Sequence, residues 1–80
     1  MKRVPRTLDQ LLVGETAVID SFIDPTVSLK LVEMGCVPGE QIFMDSVAPM
    51  GDPIAIMVCG YKLSMRKNEA SAIVLKADLN

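Results

Sequence analysis

The sequence predicts an all-β fold, a small barrel of about five antiparallel strands carrying short helices. Three observations lead there. Several short runs alternate apolar with polar or outward-facing residues at a period of two, as in Ile54, Ile56 and Val58 against Ala55, Met57 and Cys59. The runs are separated by Pro38-Gly39, by Ala48-Pro49-Met50-Gly51-Asp52-Pro53 and by Gly60-Tyr61, all turn chemistry. The chain has 80 residues, enough for one domain over residues 1–80 and no more.

The elements follow in order. Thr7 and Gln10 have the spacing of a capping box, and Leu8, Leu11 and Leu12 are expected on one side of a short helix that Gly14 ends and that lids the barrel. Glu15 to Ile23 reads as a strand, with Ala17 and Ile19 on one face. Asp24-Pro25 starts a helix, an acidic cap followed by proline in the first turn. Val27, Leu31 and Met34 form its buried stripe, Gly35 stops it, and Leu29 and Val32 fall off the stripe, of which Leu29 is expected to be exposed.

After Pro38-Gly39, Ile42 and Met44 alternate with Phe43 and Asp45. The segment Ala48 to Pro53 is a hairpin loop in which Gly51 can take positive φ. Gly60-Tyr61 bends the chain into the run Lys62 to Arg66. Asn68 to Ala72 makes one helical turn, and Ile73 and Leu75 close the pattern. The expected core is Ile19, Leu31, Met34, Ile42, Met44, Ile54, Ile56, Val58, Leu63, Ala70, Ile73 and Leu75. Closing the sheet would dispose of its edges.

Composition excludes much. Half of the residues are hydrophobic and mean hydropathy is +0.36, which leaves apolar surface for a partner or for self-association. No apolar run approaches the ~20 residues of a membrane span, and Met1-Lys2-Arg3 is followed by no signal-peptide core. The expectation is a cytoplasmic protein with no direct membrane insertion. Cys36 and Cys59 are then reduced thiols, each expected to act as a small hydrophobe in an apolar setting. Net charge is −2, with no basic surplus for a nucleic-acid partner. The basic clusters Lys2, Arg3, Arg6 and Lys62, Arg66, Lys67 read as solvated faces.

Catalytic chemistry has no foothold. There is no histidine, so the commonest general base and metal ligand are missing. Two isolated cysteines do not make a zinc site, and the carboxylates are scattered. No catalytic residue, cofactor-binding residue or metal ligand is assigned, and no cofactor is expected. With two Phe, one Tyr and no Trp, aromatic grooves for proline-rich peptides or single-stranded nucleic acid are not expected either.

The order Leu31-x-x-Met34-Gly35, Pro38-Gly39, Ala48-Pro49-x-Gly51-Asp52-Pro53-Ile54, Gly60-Tyr61, Leu63, Arg66, Glu69-Ala70 and Ile73 resembles the FeoA family, the ferrous iron transport protein A group. The resemblance runs from about Leu11 through Leu75. It implies a cytosolic SH3-like barrel that assists FeoB, the membrane ferrous iron transporter with its own GTP-binding domain, through protein–protein contact and not as an enzyme. Candidate partner-binding residues are Leu29, Met50, Gly51, Asp52, Pro53 and Tyr61. The chain differs from the usual pattern at Ser28 and Leu29, which strengthens the case for a contact surface there, and at Cys36 and Cys59.

Two other readings compete. One is a stand-alone regulatory module related to the C-terminal SH3-like domain of iron-dependent repressors, which this chain, starting at Met1, would supply only in trans. The other makes Arg66, at a strand-to-helix corner, an arginine finger for the transporter's GTPase; a surface corner residue is the simpler assignment.

Overall fold

The computed structural model describes residues 6–76. The first two members of the early basic cluster, Lys2 and Arg3, lie outside them. A 3-10 turn, Leu8–Gln10, precedes strand β1 (Thr16–Phe22) and helix α1 (Pro25–Glu33). Strands β2 (Gln41–Val47), β3 (Ile54–Val58) and β4 (Tyr61–Met65) follow, then helix α2 (Lys67–Ala70) and strand β5 (Ile73–Leu75). One antiparallel sheet runs in the order β4-β3-β2-β1-β5.

Local chemistry explains the boundaries. The Asp24 carboxylate accepts the Thr26 N–H at 3.0 Å and starts α1. At the other end Gly35 takes φ +98, its N–H reaches the Val32 carbonyl at 3.0 Å, and the Cys36 N–H reaches that of Leu31 at 2.9 Å. This is a Schellman close, and its apolar contact needs Cys36 inside beside Leu31. Cys36 is fully buried.

The β3–β4 hairpin turns through Cys59 and Gly60, at φ 52 and φ 81, and Val58 pairs with Tyr61 across it. A two-residue hairpin loop of this kind needs positive φ at both positions. Cys59 therefore leaves the strand alternation expected for it and stands exposed in the turn. In β2 the register slips between Met44 and Ser46. This bulge at Asp45 bends the strand, and the Asp45 carboxylate lies 3.1 Å from Lys62 Nζ in β4.

The core matches the expected set with specific changes. Met34 and Leu63 are only partly buried against it, while Leu8, Leu11, Cys36 and Met65 join it. Leu12 is exposed, because the 3-10 turn ends at Gln10 and Leu11 is already extended, at φ −74, ψ 136. Leu11 still turns inward beside Leu8, and only Leu12 leaves the expected stripe. Thr7 N–H donates to Gln10 Oε1 at 3.0 Å as the capping spacing predicts, but the Thr7 hydroxyl donates to Asp9.

The sheet edges are handled unequally. Thr7 bridges Val74 and Leu75 N–H reaches the Arg6 carbonyl at 2.8 Å, which covers β5. Among the described residues no ladder joins β4 to β5, because α2 carries the chain from one to the other. No buried polar side chain is without a partner among the described residues.

Candidate partner-binding surface

A polar chain joins α1, α2 and the 48–53 loop. Lys30 Nζ on α1 contacts Glu69 Oε2 on α2 at 2.6 Å. Glu69 Oε1 accepts the Arg66 N–H at 3.0 Å, closing the first turn of α2. Asp52 Oδ1, from the loop, accepts the Lys67 N–H at 2.9 Å, and its Oδ2 lies 3.8 Å from the Arg66 guanidinium. The Lys30 ammonium, then the Arg66 N–H, hold the Glu69 carboxyl below the usual carboxylate range. These pairs are solvent-facing, so they fix geometry more than they add stability.

The six expected contact residues divide into two kinds. Leu29 and Met50 are free apolar side chains, 67% and 92% exposed. Gly51, Asp52 and Pro53 build the loop that carries Met50. Gly51 sits at φ +88, the Asp52–Pro53 bond is cis, the Gly51 N–H reaches the Ala48 carbonyl at 2.7 Å, and the Pro53 carbonyl accepts the Ala48 N–H at 3.0 Å. Asp52 is committed to α2 as described. Tyr61 is 43% exposed, but its hydroxyl donates to the Met34 carbonyl and stands over Gly35. The Lys30–Glu69–Arg66–Asp52 chain thus couples Leu29's helix to Met50's loop, and Tyr61 holds the C-cap of α1, Met34.

Sequence reasoning missed further apolar exposure. Val32 and Val37 continue the uncovered side of α1 and its exit, and Ile23 precedes its cap. The helical period had already set Val32 off the buried stripe beside Leu29, with exposure expected only for Leu29. Phe43 and Met57 pair across β2 and β3 and, with Thr16, Gln41, Cys59 and Gly60, line a shallow hollow of about 210 Å³ on the outer sheet face.

Two thiols stand at the exit of α1. Burial pushes the Cys36 thiol up to about 11. A hydrogen bond to the Glu40 carboxylate raises Cys59, whose sulfur is 3.9 Å from the Gly35 carbonyl oxygen. Among the described residues no three His, Cys, Asp or Glu side chains converge as a metal site, and no helix is long and apolar enough to cross a membrane.

The arrangement offers exposed apolar side chains on a latched frame. Residues 6–77 match the family model of the FeoA domain. The chain belongs to the FeoA family. A FeoA-like protein from Clostridium acetobutylicum is 32% identical, with TM-score 0.86 over 99% of this chain and 93% of that one. FeoA of Stenotrophomonas maltophilia, solved with zinc and described as a procaryotic SH3 domain protein, is 29% identical, with TM-score 0.76 and 88% of each chain covered. IdeR of T. acidophilum is 25% identical with TM-score 0.79, over 98% of this chain but 37% of the repressor. The fold is therefore SH3-like, and FeoA membership links the chain to ferrous iron transport.

Proposed function

We propose that this chain is a cytosolic accessory protein of ferrous iron transport that acts by binding the cytosolic GTP-binding part of a FeoB-type transporter. The observation that supports it most is that two bare apolar side chains, Leu29 and Met50, stand on elements tied together by the Lys30–Glu69 and Asp52–Lys67 contacts. A pre-set surface loses little freedom on docking, so its apolar area converts to affinity efficiently. Gly51, Asp52 and Pro53 serve by holding Met50 out, and Tyr61 by holding the exit of α1. Arg66 acts through its backbone and its approach to Asp52, and no GTPase contact is assigned to it.

The test is Leu29→Glu. Transporter-dependent iron uptake drops while the melting temperature stays at the wild-type value, because the side chain contributes little to the core. Unchanged uptake with a folded variant removes α1 from the contact surface.

The likeness to IdeR supports a second reading, a regulatory module acting on a repressor in trans. Capture of a repressor and no transporter by the immobilised chain favours that reading over the first.

A further inference from the structure

Five methionines lie among the described residues, and they divide sharply by access. Met44 and Met65 are in the core, and Met34 and Met57 are partly covered. Met50 is 92% exposed at the tip of the β2–β3 loop. The loop does not fold it away, because Ala48, Gly51 and Pro53 close the turn among themselves and Asp52 fastens it to α2. The thioether is therefore presented to solvent.

The other sulfur atoms are poorly placed to react. Cys36 has no exposed surface. Cys59 is exposed in the hairpin turn, but its sulfur lies 3.9 Å from the Gly35 carbonyl oxygen, and the nearby Glu40 carboxylate raises its pKa, which keeps the thiolate fraction low. A thioether needs no deprotonation, so Met50 stays available when both thiols are protonated.

We propose that Met50 is an oxidation site, at which a two-electron oxygen donor such as hydrogen peroxide switches off partner docking. The inference rests on the docking reading for its consequence, and on exposure alone for the site itself. In the step, a lone pair of the Met50 sulfur attacks one peroxide oxygen. The S–O bond forms as the O–O bond breaks. Sulfur is oxidised by two electrons, the second oxygen leaves as hydroxide and is protonated to water, and the product is the sulfoxide. This turns the flexible apolar tip polar. Peroxide also consumes ferrous iron, so the oxidant that spoils the cargo would release the accessory protein.

The experiment treats the whole chain with graded peroxide at pH about 6, where thiolates are scarce, and maps oxidation by peptide mass spectrometry. Each sample is then measured for binding to purified transporter in detergent, beside Met50→Leu and Met50→Gln. Met50 sulfoxide is expected before any other described sulfur reacts, with affinity falling about tenfold. Met50→Leu keeps after peroxide whatever affinity it had before, whereas the wild-type chain loses affinity, and Met50→Gln binds weakly from the start. Earlier oxidation of Cys59 or of another described methionine overturns the site. Early Met50 oxidation with unchanged affinity, or equal peroxide sensitivity of Met50→Leu, overturns the switch. If the untreated chain binds no transporter, the docking reading fails and the switch with it, and the peptide map still decides the site.

Discussion

The Tyr61 hydroxyl donates to the main-chain carbonyl of Met34, which ties the first residue of β4 to the C-cap of α1. Helix C-termini leave carbonyls without intrahelical partners, and here one is satisfied by a side chain from the sheet. Gly35 makes the approach possible. A Cβ built on it would lie 2.5 Å from the Tyr61 oxygen.

Gly35→Ala should destabilise the fold by about 1–3 kcal/mol, from strain at positive φ and from loss of the tyrosine contact. Tyr61→Phe should cost about 1 kcal/mol, the net worth of a hydrogen bond. Urea unfolding of the two single variants and the double variant tests the coupling. The double variant should cost less than the sum, because each change removes the same contact. Strict additivity contradicts the latch.

Asp52→Ala should cost about 1 kcal/mol, as loss of a helix N-terminal cap does. The Lys67 amide, which donates to Asp52 at 2.9 Å, should lose protection in hydrogen exchange, while the core amides of β3 keep theirs relative to global unfolding. A Lys67 amide protected as in wild type shows that the loop is not fastened through Asp52.

Three carboxyl groups make stability fall in acid. Lys30, then the Arg66 N–H, hold Glu69 low. The Arg6 guanidinium, then the Leu12 N–H, hold Glu15 low. The Thr26 N–H, then its hydroxyl, hold Asp24 low. A folded pKa below the unfolded one contributes stability that is complete above the unfolded range of ~4 and disappears as pH falls through the lowered folded values. Urea midpoints should be level between about pH 5 and 7 and decline below ~4. Glu69→Gln should flatten part of that decline, and added salt should weaken the Lys30 contribution. A midpoint that rises below ~4 contradicts these assignments.

The sequence carried the strands, the Asp24 cap and the exposure of Leu29, because each is written in a local period or a local cap. It carried less where tertiary contact decides. Cys36 was expected to act as a small hydrophobe and is fully buried, but the Schellman close that turns it inward beside Leu31 was not written in its spacing. Cys59 continued a strand alternation on paper, yet the two-residue hairpin claimed it for a positive-φ position. Leu12 and Met65 depended on where the 3-10 turn stopped and on how deeply each end of β4 sits under the barrel. In the candidate surface, Met50 was legible as a loop tip. The attachment of Asp52 to α2 spans 15 residues and could not be read from spacing.

The most direct measurement is binding of this chain to a purified, reconstituted FeoB-type transporter, with iron flux followed in the same vesicles. The account predicts saturable binding that Leu29→Glu and Met50→Glu each weaken about tenfold or more, with flux falling in step. Absence of binding by the folded wild-type chain, or full binding by a folded variant carrying both charges, contradicts it.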